Sequence, residues 1–141
     1  MPQSFGSLHC HIVFSTKNRL PLISSDLQPR LFEYFGGIIR NHSSSLVAAG
    51  GIADHVHLLI SLGRTIAVAD AVRVIKSNSS KWIHDELRIS EFQWQEGYGA
   101  FAVSYSNIDS VKPYLATQEQ HHRCLTFQEE FREVLRRHNL E

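Results

Sequence analysis

A chain of 141 residues, 43% hydrophobic and 20% charged, has the size and balance of one globular domain spanning 1–141 and no room for a second. Fourteen basic against fourteen acidic residues give a formal net charge of zero, which disfavours non-specific coating of nucleic acid, a task that needs many phosphate contacts. Met1-Pro2-Gln3-Ser4 lacks the basic start of a secretory signal, no apolar run approaches the roughly 18 residues of a membrane helix, and Cys10 and Cys124 form no CxxC pair, so the expectation is a soluble, cytoplasmic protein without a disulfide framework.

From Leu8 to Thr16, Leu8, Cys10, Ile12 and Phe14 alternate with His9, His11, Val13 and Ser15, as in a strand with one buried face. Ser24-Ser25-Asp26 offers caps for a helix from Leu27 to about His42, with Pro29 in its first turn and Gly36-Gly37 weakening its middle. Leu46 to Ile52 and His55 to Leu62 predict neighbouring antiparallel strands with Gly50 and Gly51 near the bend. A long amphipathic helix follows from Ala67 to about Leu87. Phe92 to Gln95 and Ala100 to Ser106 are expected as strands joined across Gly97-Tyr98-Gly99. The remainder returns to helix, roughly Ile108 to His122 and Thr126 to His138, with Pro113 expected to start a new segment. Strand, helix, strand, strand, helix, strand is the split βαβ order of an α+β, ferredoxin-like fold. Its helices cover one face of an antiparallel sheet, and the other face is expected to carry a site.

On a strand, residues two apart share a face, so His55 and His57 point together while Val56, Leu58 and Ile60 point oppositely. Two imidazoles so placed can grip one metal ion. His9-Cys10-His11 has the same spacing, and periodicity does not separate the two pairs. Tyr114 and Gln118, four apart, share a helix face. A tyrosine beside a metal can attack a DNA phosphate, releasing a 3′-hydroxyl and storing the bond as a 5′-phosphotyrosine for rejoining. At a pKa of ~10 the phenol is about three units short of ionising at pH 7, a handicap of roughly 4 kcal/mol that a metal polarising the phosphate would offset. An oxygen ligand such as Gln118 suits Mg2+ or Mn2+ better than a closed zinc site. The plainer alternative is a Tyr114 that packs on the sheet beside a solvated Gln118.

Arg73, Lys76, Ser77, Ser80 and Lys81 form one helical stripe able to contact phosphates, although a solvated polar face explains it equally. Lys17 and Arg19, after the first strand, are further phosphate candidates. Trp82, Trp94 and Phe101 suit the core, Tyr98 in its glycine-flanked turn suits base stacking, and His121 and His122 extend the Tyr114 helix.

Five blocks in order, HIVFSTKNR (11–19), GGIADHVHLLI (50–60), IKSNSSKWIH (75–84), FQWQEGYGAFAVSYS (92–106) and PYLATQEQHHR (113–123), resemble the HUH-type single-tyrosine transposases of the insertion-sequence 200/605 group of bacteria and archaea. The resemblance implies His55 and His57 as metal-binding histidines, Gln118 as completing the metal shell, and Tyr114 as nucleophile. It further implies a single-stranded DNA substrate with hairpin ends and a homodimer whose sites are completed in trans. Ala53, Thr117 and Pro113 depart from the family pattern, and Pro113, directly before the nucleophile, bears on the reach of that helix. Three other readings stand beside this one: a catalytically silent nucleic-acid-binding module, a related HUH nicking endonuclease, and a metal-binding protein using His9, His11, His55 and His57.

Overall fold

A computed structural model describes residues 5–118 and 127–138. Four antiparallel strands, β1 (His9–Ser15), β2 (Ser45–Ile52), β3 (His55–Ser61) and β4 (Gly99–Val103), form one sheet in the order β2-β3-β1-β4. Helix α1 (Leu27–Arg40) crosses from β1 to β2 and α2 (Val68–Asp85) from β3 to β4, the split βαβ arrangement. Helices α3 (Ile108–Ala116) and α4 (Phe127–Arg137) follow. No helix among the described residues is long and apolar enough to cross a membrane.

The helix expected after Ser24 begins where foreseen, but its first amide finds the Ser24 hydroxyl, with Leu27 N–H donating at 3.1 Å, and the Asp26 side chain makes no cap. Leu31, Phe35 and Ile39 of α1 and Ala71, Ile75 and Ile83 of α2 are fully buried against Ile12, Val56, Leu58 and Ile60. Tyr34 stacks on Trp82 with ring centroids 4.5 Å apart, pinning α1 to α2.

Every residue from His55 to Ile60 is buried, so β3 is covered on both sides. Helices α1 and α2 lie on one face as anticipated. The opposite face is not open: Val13, Leu59 and Phe101 make it apolar, and α3 and α4 cover it through Ile108, Leu115 and Val134.

Three local expectations need correction. Phe92 to Gln95 makes a single bridge, Thr16 to Trp94, rather than a strand, because the chain turns away at Gly97 with φ of 88°. The last strand ends at Val103, and Tyr105–Asn107 form a tight 3-10 turn leading into α3. Pro113 lies inside a continuous α3 instead of opening a new segment. Proline cancels the bond that would reach the Asp109 carbonyl, but Asp109 and Pro113 are exposed, so water can satisfy that oxygen, while buried Ile108 and Leu115 hold the helix down. The expected extension to His122 passes beyond Gln118 into residues outside the described ones, and His121, His122 and Cys124 lie there too.

α3 approaches β2 at Gly50, where an added Cβ would stand 1.6 Å from the Leu115 carbonyl oxygen. Backbone, not a flexible side chain, blocks that space. Gly50→Ala is therefore expected to destabilise the fold by about 1–3 kcal/mol, the usual range for overpacking, read as a lower urea midpoint at unchanged slope.

Candidate active site

The pairing of β1 with β3 sets the site. Val13 lies opposite His57 and His11 opposite Leu59, so His11 and His57 are diagonal neighbours on the face beneath α3 and α4. His55 and His57 are both essentially unexposed. Neither ring is left to an apolar surround: His55 Nδ1 lies 2.8 Å from Asp54 Oδ1, and His57 Nδ1 lies 2.8 Å from His11 Nε2. With each Nδ1 so occupied, the two Nε2 atoms are turned the same way, toward α4.

There they meet Glu130. Its Oε1 lies 2.8 Å from His57 Nε2 and 3.8 Å from His55 Nε2, and the residue is 2% exposed. Ligand atoms of His55, His57 and Glu130 all fall within 4.8 Å of one another. Two imidazole nitrogens and a carboxylate oxygen, buried and convergent, suit a divalent ion with open positions for substrate oxygens. A buried carboxylate is costly unless a cation or donors face it, and a cation held between the two histidines and Glu130 would offset that cost.

Tyr114, half-buried on α3, sits at the same place, its ring 5.8 Å from that of His57 and 6.2 Å from that of His11. Burial pushes its phenol well above the ordinary tyrosine value, and the Glu130 charge pushes it further in the same direction. Hydrogen bonding to Gln118 pulls it back, and Arg137 does so more weakly. Gln118 is buried, its Nε2 donates to the Tyr114 carbonyl oxygen at 3.1 Å, and its Oε1 accepts no hydrogen bond among the described residues. His11 is held neutral, lowered to about 3 by burial and then by the neighbouring His57. A cavity of about 460 Å3 lies beside Tyr114, bounded by His11, Asn107, Ser110, Arg137 and His138 among others.

The residues expected to contact DNA divide. Lys17, Arg73, Lys76, Ser77 and Ser80 line one cleft of about 720 Å3 with Gln93, Trp94 and Gln95. Arg19 and Lys81 are exposed but do not line it. Within the cleft Lys76 has a structural task, donating to the carbonyls of Gln95 at 2.8 Å and Gly97 at 2.6 Å, so its ammonium pins the loop before β4. The cleft opens at the end of β1, where the Thr16 amide donates to the Asp54 carbonyl, one residue from His55. Trp94 packs edge-on against Phe14 and donates to Ser79, a core role. Tyr98 is 42% exposed.

Sequence reasoning missed Glu130 and placed His11 only in a rival metal-binding set with His9, His55 and His57. A signal for Glu130 existed: Glu130 and Val134, four apart, share the buried side of α4, and an acid on the apolar stripe of an amphipathic helix is unusual. His11 becomes legible only with the strand register.

Residues 4–118 match the family described as "Transposase IS200 like". No curated protein matches the chain. Among solved structures, a presumed transposase from Deinococcus radiodurans R1 is similar with a TM-score of 0.63 at 21% identity, over 81% of this chain and 95% of that one. A REP-associated tyrosine transposase bound to a REP hairpin is similar with a TM-score of 0.58 at 13% identity, over 82% of this chain and 68% of that one. At these identities the two structures speak to the fold.

Calorimetric titration with Mn2+ tests the cluster. His55→Ala, His57→Ala and Glu130→Gln are each expected to weaken binding by about 100-fold or more, beyond what loss of an outer partner costs, and His9→Ala to leave it unchanged. Equal loss in His9→Ala would move the site to the other His pair, and unchanged binding in Glu130→Gln would reduce α4 to a cover.

Proposed function

This chain belongs to the IS200-like transposase family, and on that premise we propose that it cuts and rejoins single-stranded DNA with Tyr114 as the covalent nucleophile. The observation that carries this reading is convergence: a tyrosine, two histidines and a glutamate from α3, β3 and α4 meet at one buried point. A catalytically silent binding module leaves that meeting unexplained.

His55, His57 and Glu130 would hold a divalent ion, Mg2+ or Mn2+, and Gln118 Oε1 offers a further oxygen. Such an ion, when bound, polarises the scissile phosphate and balances charge building on its oxygens. The chain's own groups do the remainder. Asp54 and His11 fix the two imidazole rings. Glu130, whose charge acts on the Tyr114 phenol, lies with it at the His pair and is the group placed to take its proton. Attack by the phenol oxygen on phosphorus forms the 5′-phosphotyrosine and breaks the bond to the 3′ oxygen, which leaves as a hydroxyl on protonation. Reversal by another 3′-hydroxyl rejoins the strand without an external energy source.

The cleft of Lys17, Arg73, Ser77 and Ser80 supplies phosphate contacts that lead a strand toward Asp54 and the site, with Arg19 and Lys81 flanking it. A substrate with hairpin ends is supported by the structural neighbour that carries a REP hairpin. A homodimer completed in trans belongs to the same reading, although Tyr114 here meets the His pair of its own chain, and exchange requires α3 to leave Gly50.

Incubation with labelled oligonucleotides tests the chemistry. A denaturant-resistant adduct is expected on single-stranded hairpin-bearing DNA with Mg2+ or Mn2+, absent from full duplex and from Tyr114→Phe, whose DNA binding stays near normal. An adduct persisting in Tyr114→Phe would redirect the assignment to Tyr98 or Tyr105. Mixing His57→Ala with Tyr114→Phe tests the assembly: restored cleavage is expected if sites complete in trans, and verified heterodimers that remain inactive would assign cleavage to each chain's own Tyr114.

A further inference from the structure

His11 is an imidazole that the chemistry above uses only as a neighbour. It is 7% exposed, lies on β1 diagonal to His57, and places Nε2 2.8 Å from His57 Nδ1. Two neutral imidazoles at that distance share one hydrogen, so one must donate and the other accept. Which does which is fixed from the far side of His57. When the hydrogen of His57 sits on Nε2, which faces Glu130 Oε1 at 2.8 Å, His57 Nδ1 is bare and His11 must be the donor. When His57 Nε2 gives its lone pair to a metal, its hydrogen sits on Nδ1 and His11 must accept.

We propose that His11 is a positioning residue of the metal centre, accepting the His57 Nδ1 hydrogen whenever His57 ligates metal, so that the two imidazoles change tautomer together. The balance closes without gain or loss of protons by the pair. Each ring holds one hydrogen before and after, on Nε2 in the first state and on Nδ1 in the second. A backbone carbonyl or a carboxylate in the place of His11 could accept but never donate. An imidazole serves both states, which suits a ligand that alternates between a glutamate and a metal. His55 differs, because its Nδ1 faces the Asp54 carboxylate, a fixed acceptor. His9 lies two residues along the same strand, its ring 6.4 Å from that of Tyr105, and has no such partner in the site.

The proposal rests on the metal reading given above, and the test separates the two. Zn2+ serves as a diamagnetic probe, with binding followed by calorimetry and the histidine tautomers by 15N NMR of the full chain. His11→Phe keeps a ring against Phe101 and Tyr114 but removes the acceptor, while His11→Gln restores an oxygen acceptor at similar reach. Expected results are a 10- to 100-fold weaker Zn2+ affinity in His11→Phe with a melting temperature in EDTA somewhat lowered by the unpartnered His57 Nδ1, and near-native affinity and melting temperature in His11→Gln. In the wild type, Zn2+ should move the hydrogen of His57 and of His11 from Nε2 to Nδ1. Native affinity in His11→Phe, no rescue by His11→Gln, or a His11 tautomer indifferent to Zn2+ would overturn the proposal. The NMR observation needs no variant, so a misfolded His11→Phe leaves it decidable. If His57→Ala binds Zn2+ as the wild type does, the metal reading itself fails, and this one falls with it.

Discussion

Everything at this site depends on two imidazoles placed where water does not reach. β3 is buried on both faces, and a ring nitrogen removed from water without a partner costs on the order of 1–3 kcal/mol. The sheet meets that constraint by supplying Asp54 to one ring and His11 to the other, which orients both rings as a side effect of satisfying them. Orientation then makes the remaining nitrogens converge, and convergence is what gives Glu130 a place. The same burial raises the Tyr114 phenol, so the group that must ionise sits in surroundings that resist its ionisation. Preorganisation and reluctance have one cause here.

Alternation and helical periodicity made the sheet and its crossovers legible in the sequence, because the side chains that pattern β1, β3, α1 and α2 are those that build the main core. Where burial was two-sided or packing came from afar, the patterns failed. Phe92 and Trp94 alternate with glutamines as strand residues would, yet Trp94 forms only one bridge, since the chain turns away at Gly97. Pro113 carried a strong local prohibition that tertiary contact overrode. The sequence has no means of announcing that Ile108 and Leu115 would be held firmly enough to keep one turn helical without its bond.

For the site, spacing alone paired His55 with His57 and Tyr114 with Gln118, and it left His9 and His11 as an equal competitor. Register resolved this in an unanticipated way: the competing pair is divided, with His11 serving His57 and His9 lying apart beside Tyr105. Lys76 shows the converse. Its place on the basic stripe is real, but two carbonyls of the loop before β4 occupy its ammonium, a contact between segments that no periodicity could reveal.

The donors of the cluster also differ in when they exist. His55 and His57 belong to the sheet, whereas Glu130 belongs to α4, beyond the stretch 4–118 that carries the family match. During synthesis a chain emerges from its N-terminus, and a sheet can gather before a helix that follows it in sequence is available. The nascent protein would thus own a folded scaffold and two imidazoles for some seconds before its carboxylate arrives, and the Tyr114 phenol would meet its proton acceptor and the third metal-ligand candidate in the same event. Competence at this site is therefore acquired only as α4 docks on the sheet.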